Sequence, residues 1–186
     1  LKNEELHWYL GIIALAIGII CLDVYHRYQS VAVMLKDVFF TVSSIITTTG
    51  FATRDFNQWP LTSHVILLLL MFCGAMAGST GGGIKVSRVA IYVKTSLQEI
   101  QHMISPNRKL PVRFEKKTID TALLRGVSFY FMTYMFFFSI CLLIVSLDAP
   151  NFVTAFSAVA ATFNNIGPGL DMVGPTGNYS DFSILS

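Results

Sequence analysis

The chain has 186 residues, of which 53% are hydrophobic and 13% charged, with a formal net charge of +2. Soluble domains carry about 25% charged residues, so this balance, with a mean hydropathy of +0.59, excludes an ordinary water-soluble domain and points to a membrane protein. Nothing in the charge balance calls for a nucleic-acid partner.

Leu1 is not an initiator methionine, and residues 1–6 carry no basic-then-apolar signal, so the stretch is expected to be a piece of a longer protein. Glu4 and Glu5, beside Lys2 at the chain end, read as a solvated flank. Residues 6–22, LHWYLGIIALAIGIICL, form the first apolar run. Its length is close to the roughly 20 residues of a membrane-spanning helix, and Trp8 and Tyr9 lie where an interfacial aromatic belt belongs. Residues 31–47 differ, because Lys36 and Asp37 sit early and the run ends in SSIITTTG. They read as a half-length helix buried in protein rather than a lipid-facing span. Residues 61–77 are the third apolar run, directly followed by a glycine-rich segment; the junction reads CGAMAGSTGGGIKVSR over 73–88. A helix then resumes, with basic residues about a turn apart, before the polar, proline-punctuated connector SPNRKLPVRFEKK. Residues 122–147 are the most apolar span. A short helix over 151–163 leads into FNNIGPG, a glycine- and proline-rich loop runs to Asp181, and 181–186 open a further helix.

Cys21, Cys73 and Cys141 each sit in an apolar run without C-x-x-C spacing and read as small buried side chains. The four histidines, His7, His26, His64 and His102, are scattered, which leaves no metal-binding pattern.

Taken in order, the elements repeat: span, short helix, glycine turn, span, then the same again. The first spans end alike in IICLD and IVSLD, and counting back from Gly50 and Gly167 aligns Val42 with Val159 and Phe39 with Phe156. Orientation follows from charge. Lys85, Arg88, Lys94, Arg108, Lys109, Arg113, Lys116, Lys117 and Arg125 crowd one stretch, opposed there by Glu99, Glu115 and Asp120. The positive-inside rule makes 85–121 cytoplasmic. The connectors near Asp23, Asp55, Asp148 and Asp171 then lie outside, where they would attract cations.

The segment after Cys73 is not a Walker A loop. Gly78 and Gly83 have the right separation, but Ile84 stands where the lysine belongs and Val86 follows Lys85. It is also too short for a linker that leaves the bilayer and returns. Unpaired backbone groups cost several kcal/mol in hydrocarbon and survive only beside protein or a water-filled cavity. The segment therefore reads as an unwound part of a pore-lining helix, with Ser79 and Thr80 offering hydroxyls; the alternative is a close helix contact through small residues. The turns TTTGFAT and FNNIGPG follow short helices and can aim backbone carbonyls at a dehydrated cation. Gly50 and Gly167 supply the positive φ, with Asn164 and Asn165 available to brace the second turn. Together, at matched places in a repeat, they favour an ion filter.

In this order and spacing, TTTGFAT, AGSTGGGIK and FNNIGPG resemble the third and fourth pore repeats of the Trk/Ktr/HKT superfamily of cation transporters, in particular its bacterial TrkH/TrkG branch. The likeness covers essentially the whole chain. It implies an all-α membrane protein of repeated, potassium-channel-like helix, pore-helix, helix units, with re-entrant filter loops and one broken transmembrane helix. Residues 1–104 would be the third repeat, with span 6–22, pore helix 31–47, filter 47–53 and broken span 61–104. Residues 105–121 would be a cytoplasmic connector. Residues 122–186 would be a partial fourth repeat, with span 122–147, pore helix 151–163, filter 163–169 and the start of a last span at 181–186. The implied filter is Thr48, Thr49, Gly50 and Phe51 with Asn165, Ile166, Gly167 and Pro168, holding potassium at its carbonyls only. The implied gate loop is Gly74, Ala75, Gly78, Ser79, Thr80, Gly81, Gly82 and Gly83, with Lys85 at its cytoplasmic end. Implied partners are the lipid bilayer of the bacterial inner membrane, a second copy in a homodimer, and a cytoplasmic nucleotide-binding regulatory ring of the TrkA/KtrA type. No organic cofactor and no chemical catalysis are implied. The first two repeats and the second span of the last are absent from this stretch, and half a filter cannot encircle an ion, so this chain alone is expected not to transport. A secondary transporter with a midplane site at its broken helix is the alternative. Against it, re-entrant turns fit a pore better, and the sequence marks no intramembrane carboxylate relay.

Overall fold

In the computed structural model, which describes residues 3–105, 113–115, 117–180 and 182–183, helix α1 (Glu4–Val24) is started by the Asn3 side chain, which accepts from the Leu6 N–H at 3.1 Å. Glu4 and Glu5 in its first turn complement the helix dipole. Its 21 residues reach about 30 Å, the thickness of a bilayer core. Helix α2 (Val31–Ile46) buries Met34, Val38, Thr41, Val42 and Ile45 at three- and four-residue spacing, a single helical face. Helices α3 (Leu61–Cys73) and α4 (Val86–Ile104) follow. Between them the chain unwinds through Gly74, Gly78 and Gly83, all at positive φ, and through Lys85 at φ +71°.

A two-residue antiparallel ladder, β1 (Arg113–Phe114) with β2 (Lys117–Thr118), lies in the connector. Arg113 pairs with Thr118 and Phe114 with Lys117, so the connector folds back on itself within an otherwise helical chain. Helix α5 (Thr121–Val145) is the longest, at 25 residues, and α6 (Phe152–Phe163) has 12. Asn151 starts α6 by accepting from the Thr154 N–H at 2.8 Å. Among the described residues two stretches, Glu4–Arg27 and Ala122–Val145, are long and apolar enough to cross a membrane. Helices α2 and α6 are too short to do so, at about 24 and 18 Å.

The core lies where α1, α2, α3 and α6 meet, around Ile20, Val38, Leu67, Met71 and Val159. The small side chains Ala155, Ala158, Ala160 and Ala161 let α6 sit deep within it. Phe72, Phe138 and Phe156 meet at 5.1 to 5.9 Å between ring centres, Phe138 edge-on to the other two, and pin α3, α5 and α6 together. Leu22, Leu69, Phe129 and Leu143 remain outward, as lipid or neighbouring apolar surface requires. The ends of α1, α2, α5 and α6 lie within two residues of the sequence boundaries, whereas α3 stops at Cys73, four residues before the end of its apolar run, where Gly74 takes positive φ. Arg108, Lys109 and Lys116, and most of the expected start of a last span at 181–186, lie outside the described residues.

The solvated flank expected at Glu4 and Glu5 is a misreading. Glu5 is buried, and Glu4 pairs with Lys94 of α4 while accepting from the Glu115 N–H at 2.9 Å. Two basic residues of the stretch 85–121 are likewise engaged: Lys94 with Glu4, and Arg88 over the Tyr130 ring at 4.1 Å.

Candidate functional site

Two turns leave the ends of the two short helices in the same way. Two residues before each turn glycine, a side-chain-bearing residue takes the left-handed conformation: Thr48 at φ +56° and Asn165 at φ +57°. Gly50 and Gly167 then follow at φ +78° and +109°. The root bonds correspond one for one. The Thr49 N–H donates to the Ser44 carbonyl and the Ile166 N–H to the Ala161 carbonyl, both at 2.8 Å. The Thr48 and Asn165 N–H groups donate to the Ile45 and Thr162 carbonyls, both at 3.0 Å. Thr47 Oγ1 and Asn164 Nδ2, one residue earlier, each reach back four residues to a helix carbonyl, at 2.7 and 2.8 Å. Asn164 is fully buried, and its Oδ1 accepts from the Tyr134 hydroxyl of α5 at 2.7 Å. It is the bracing asparagine, whereas Asn165 is exposed.

These turns touch. A β-carbon on Gly50 would overlap the Ile166 carbonyl oxygen and stand 3.1 Å from Pro168 Cδ. The glycine loop packs against the base of both. A β-carbon on Gly81 would lie 2.8 Å from Thr48 Oγ1, and one on Gly82 would overlap the Asn164 carbonyl oxygen. Gly74 and Gly83 cross so closely that a β-carbon on Gly83 would be 2.8 Å from Gly74 Cα. Ala75 is buried, and its carbonyl accepts from the Val86 N–H at 3.1 Å, which closes the neck of the loop. Gly78, Ser79 and Thr80 are exposed at the loop tip, and Phe51 is exposed beyond the first turn. A cavity of about 420 Å³ lies along Gly81, Gly82, Lys85, Arg88 and Tyr134.

Lys85 does more than end the loop. Its ammonium donates to the Ser79 carbonyl and Oγ and to the Gly81 carbonyl, at 2.8, 2.9 and 2.7 Å. From the opposite flank Glu5 of α1 accepts from the Ala77 N–H at 2.6 Å. The loop is thus held by one cation of its own and one carboxylate from the first span.

The carboxylates expected on the outer face, Asp23, Asp55, Asp148 and Asp171, each serve as local hydrogen-bond acceptors. Asp23 Oδ2 accepts from the Ser63 N–H and hydroxyl at 3.0 and 2.7 Å, satisfying the start of α3. Asp148, at the matching end of α5, accepts from Ser183 in the same two ways. Asp55 accepts from the Asn57 N–H at 3.1 Å. Asp171, at φ +57°, accepts on Oδ2 from Asn151 at 2.6 Å and Thr154 at 2.9 Å. Those two donors, Asn151 first, hold its carboxyl below the usual carboxylate range. Its main chain forms a two-bond clamp with Asn57: Asn57 Nδ2 donates to the Asp171 carbonyl, and the Asp171 N–H donates to Asn57 Oδ1, both at 2.9 Å. The Gly167 carbonyl accepts from the Tyr179 hydroxyl at 2.6 Å, a partner that the filter reading does not foresee. Burial pushes that hydroxyl up to about 12, so it stays a donor.

Sequence reasoning misses two buried carboxylates. Glu5 is 8% exposed, and Asp37, inside α2, is 4% exposed and accepts from the Thr53 hydroxyl at 3.0 Å. The signal for Asp37 is present, as an acid within an apolar run. Nothing local marks Tyr134 or Asn57, whose partners are far along the chain.

The chain matches the TrkH family model, described as a cation transport protein, over residues 8–183. It is 34% identical over 175 residues to the Trk system potassium uptake protein TrkH of Salmonella typhimurium, covering 92% of this chain and 36% of that protein. It is 38% identical over 131 residues to the Trk system potassium uptake protein TrkG of Escherichia coli, covering 70% of this chain and 27% of that protein. The crystal structure of the potassium transporter TrkH from Vibrio parahaemolyticus superposes with a TM-score of 0.87 at 33% identity, covering 97% of this chain and 39% of that one. The chain therefore spans between about a quarter and two fifths of the length of these relatives, and it belongs to the TrkH family of cation transport proteins.

Proposed function

We propose that this chain is the third repeat and part of the fourth in a potassium uptake subunit of the bacterial inner membrane. The observation that carries the reading is the correspondence of the two turns, which share root bonds, left-handed residues and glycine placement and which meet at Gly50 and Ile166. Potassium sheds its water and passes the carbonyls of Thr48, Thr49, Gly50 and Phe51 and of Asn165, Ile166, Gly167 and Pro168. Carbonyls replace its hydration shell. Two units supply half of such a ring, and the remaining repeats of the full subunit complete it.

Gly74, Ala75, Gly78, Ser79, Thr80, Gly81, Gly82 and Gly83 act as the gate, with Lys85 as its fastening. The contact of Gly81 and Gly82 with the bases of both turns supports this, because a loop so placed blocks the way out of the turns until it moves. Residues 85–121 face the cytoplasm, where a nucleotide-binding ring acts on α4, and the subunit pairs with a second copy. Transport involves no chemical step and no organic cofactor. The test is uptake by the full-length transporter in cells lacking their own potassium uptake. Replacing Gly50 with Ser adds a β-carbon that collides with Ile166 at a positive φ, so preference for potassium over sodium is expected to fall. Unchanged preference with normal protein levels overturns the filter assignment.

A further inference from the structure

We propose that Asp37 is a positioning residue that holds the far limb of the first turn through Thr53, and that this strut, mirrored in the second unit by Thr154 and Asp171, sets which monovalent cation passes. The inference rests on the filter reading above and adds to it the residues that fix the filter's shape.

The register carries the argument. Asp37 lies 13 residues before Gly50, and Thr154 lies 13 residues before Gly167. Each bonds to the chain just beyond its glycine: Asp37 to Thr53, three residues on, and Thr154 to Asp171, four residues on. Both bonds join a carboxylate to a threonine hydroxyl, at 3.0 and 2.9 Å. Only the side that supplies the carboxylate is exchanged: the short helix in the first unit, the departing limb in the second. No residue-by-residue alignment shows this, because acid faces hydroxyl at the matched positions.

The energetics favour a purpose for the first strut. Asp37 is 4% exposed in the packed face of α2, and a carboxylate removed from water is costly unless its partners compensate. Its one ion-pair neighbour among the described residues is Lys36 at 3.9 Å, whose side chain is 70% exposed. Tyr28 lies beside it, and its buried hydroxyl stands close to both the Asp37 carboxylate and the buried Trp59 indole N–H, though outside ordinary hydrogen-bond geometry with either. The site is therefore polar and sheltered, and the Thr53 hydroxyl is the donor to the carboxylate that comes from the turn. Hydrogen bonds to an ionised acceptor are about twice as strong as neutral ones. The root of the turn is fixed by its helix-end bonds and its apex by Gly50 against Ile166. The departing limb is fixed by this strut.

The experiment uses the full-length transporter in potassium-uptake-deficient cells, at equal protein levels in the membrane, with initial rates of potassium, rubidium and sodium uptake resolved into KM and maximal rate. T53V preserves shape and removes the hydroxyl; T53S keeps it; G50S reports on the filter itself. T53V is expected to lower the potassium-over-sodium ratio of maximal rate to KM by about tenfold, the scale of one hydrogen bond to a charged group. T53S should keep the wild-type ratio, and T154V should lower it in the same direction as T53V. If T53V keeps the wild-type ratio while G50S lowers it, the strut is refuted and the filter reading stands. If T53V and T53S are equally impaired, the hydroxyl is not responsible and the proposal fails. If G50S also leaves the ratio unchanged, the filter reading itself falls.

Discussion

Replacing Gly82 with Ala places a wedge between the glycine loop and the second turn. The added methyl would overlap the Asn164 carbonyl oxygen, lie 2.5 Å from its carbon and 2.8 Å from its Cα. Carbon atoms pack comfortably at about 3.5–4.0 Å, so one backbone must retreat by roughly 1 Å. Asn164 is poorly able to do so, being fully buried and bonded to both Tyr134 and Ala160. The loop must move. Forcing extra volume into a packed contact costs about 1–3 kcal/mol, and this cost falls only on the arrangement in which the loop rests on the turn. A gate closed by that contact is therefore biased toward opening by roughly 5–150-fold. Initial rubidium uptake by the full-length transporter, assayed without its regulatory partner, should rise accordingly. Gly78 is the contrasting position: a β-carbon there meets nothing within 4 Å, although φ is +82°. G78A strains the loop without wedging it and should raise basal uptake much less. Uptake by G82A at or below the wild-type rate, with equal protein in the membrane, would refute a gate seated on Asn164.

Tyr134→Phe removes the donor to the fully buried Asn164 Oδ1 and should destabilise the protein by ~1–3 kcal/mol; unfolding in detergent measures this, and an unchanged midpoint would mean the oxygen has another partner. Asp171 is held below the usual carboxylate range by Asn151 and then Thr154, so its folded value lies below its unfolded one. Its contribution is present above about pH 4 and is lost as pH falls through the lower, folded value. The difference in melting temperature between the wild-type protein and D171N should accordingly shrink in acid, and a difference that grows there contradicts the assignment.

The helices are legible in the sequence because each is bounded by a physical discontinuity. Apolar runs stop at Asp23 and Asp148, and glycines break the run after Cys73. The two turns are legible for the same reason, since Gly50 and Gly167 follow short apolar helices at matched positions. What holds the glycine loop and the turns is not legible. Glu5 sits at the edge of an apolar run, and only the return of Ala77 to the start of α1, 72 residues later, gives it a partner. Tyr134 is one aromatic among many in α5, and its partner Asn164 lies beyond the end of α6. The short ladder at Arg113–Phe114 and Lys117–Thr118 escapes notice because two residues a side give no periodicity to detect. Asp37 is visible as an acid in an apolar run, but its register with Thr53 is fixed by the shape of the turn between them.

The clamp between Asn57 and Asp171 joins positions 114 residues apart. A ribosome adds roughly 5–20 residues per second, so the Asn57 amide waits on the order of ten seconds for its partner. During that interval the first unit can form its short helix and its local bonds, while the loop beyond its turn still lacks this one fastening. The final shape of the first turn therefore depends on sequence that has not yet been made. Maturation belongs to the pair of units, and a defect confined to the second would surface as an error in the first.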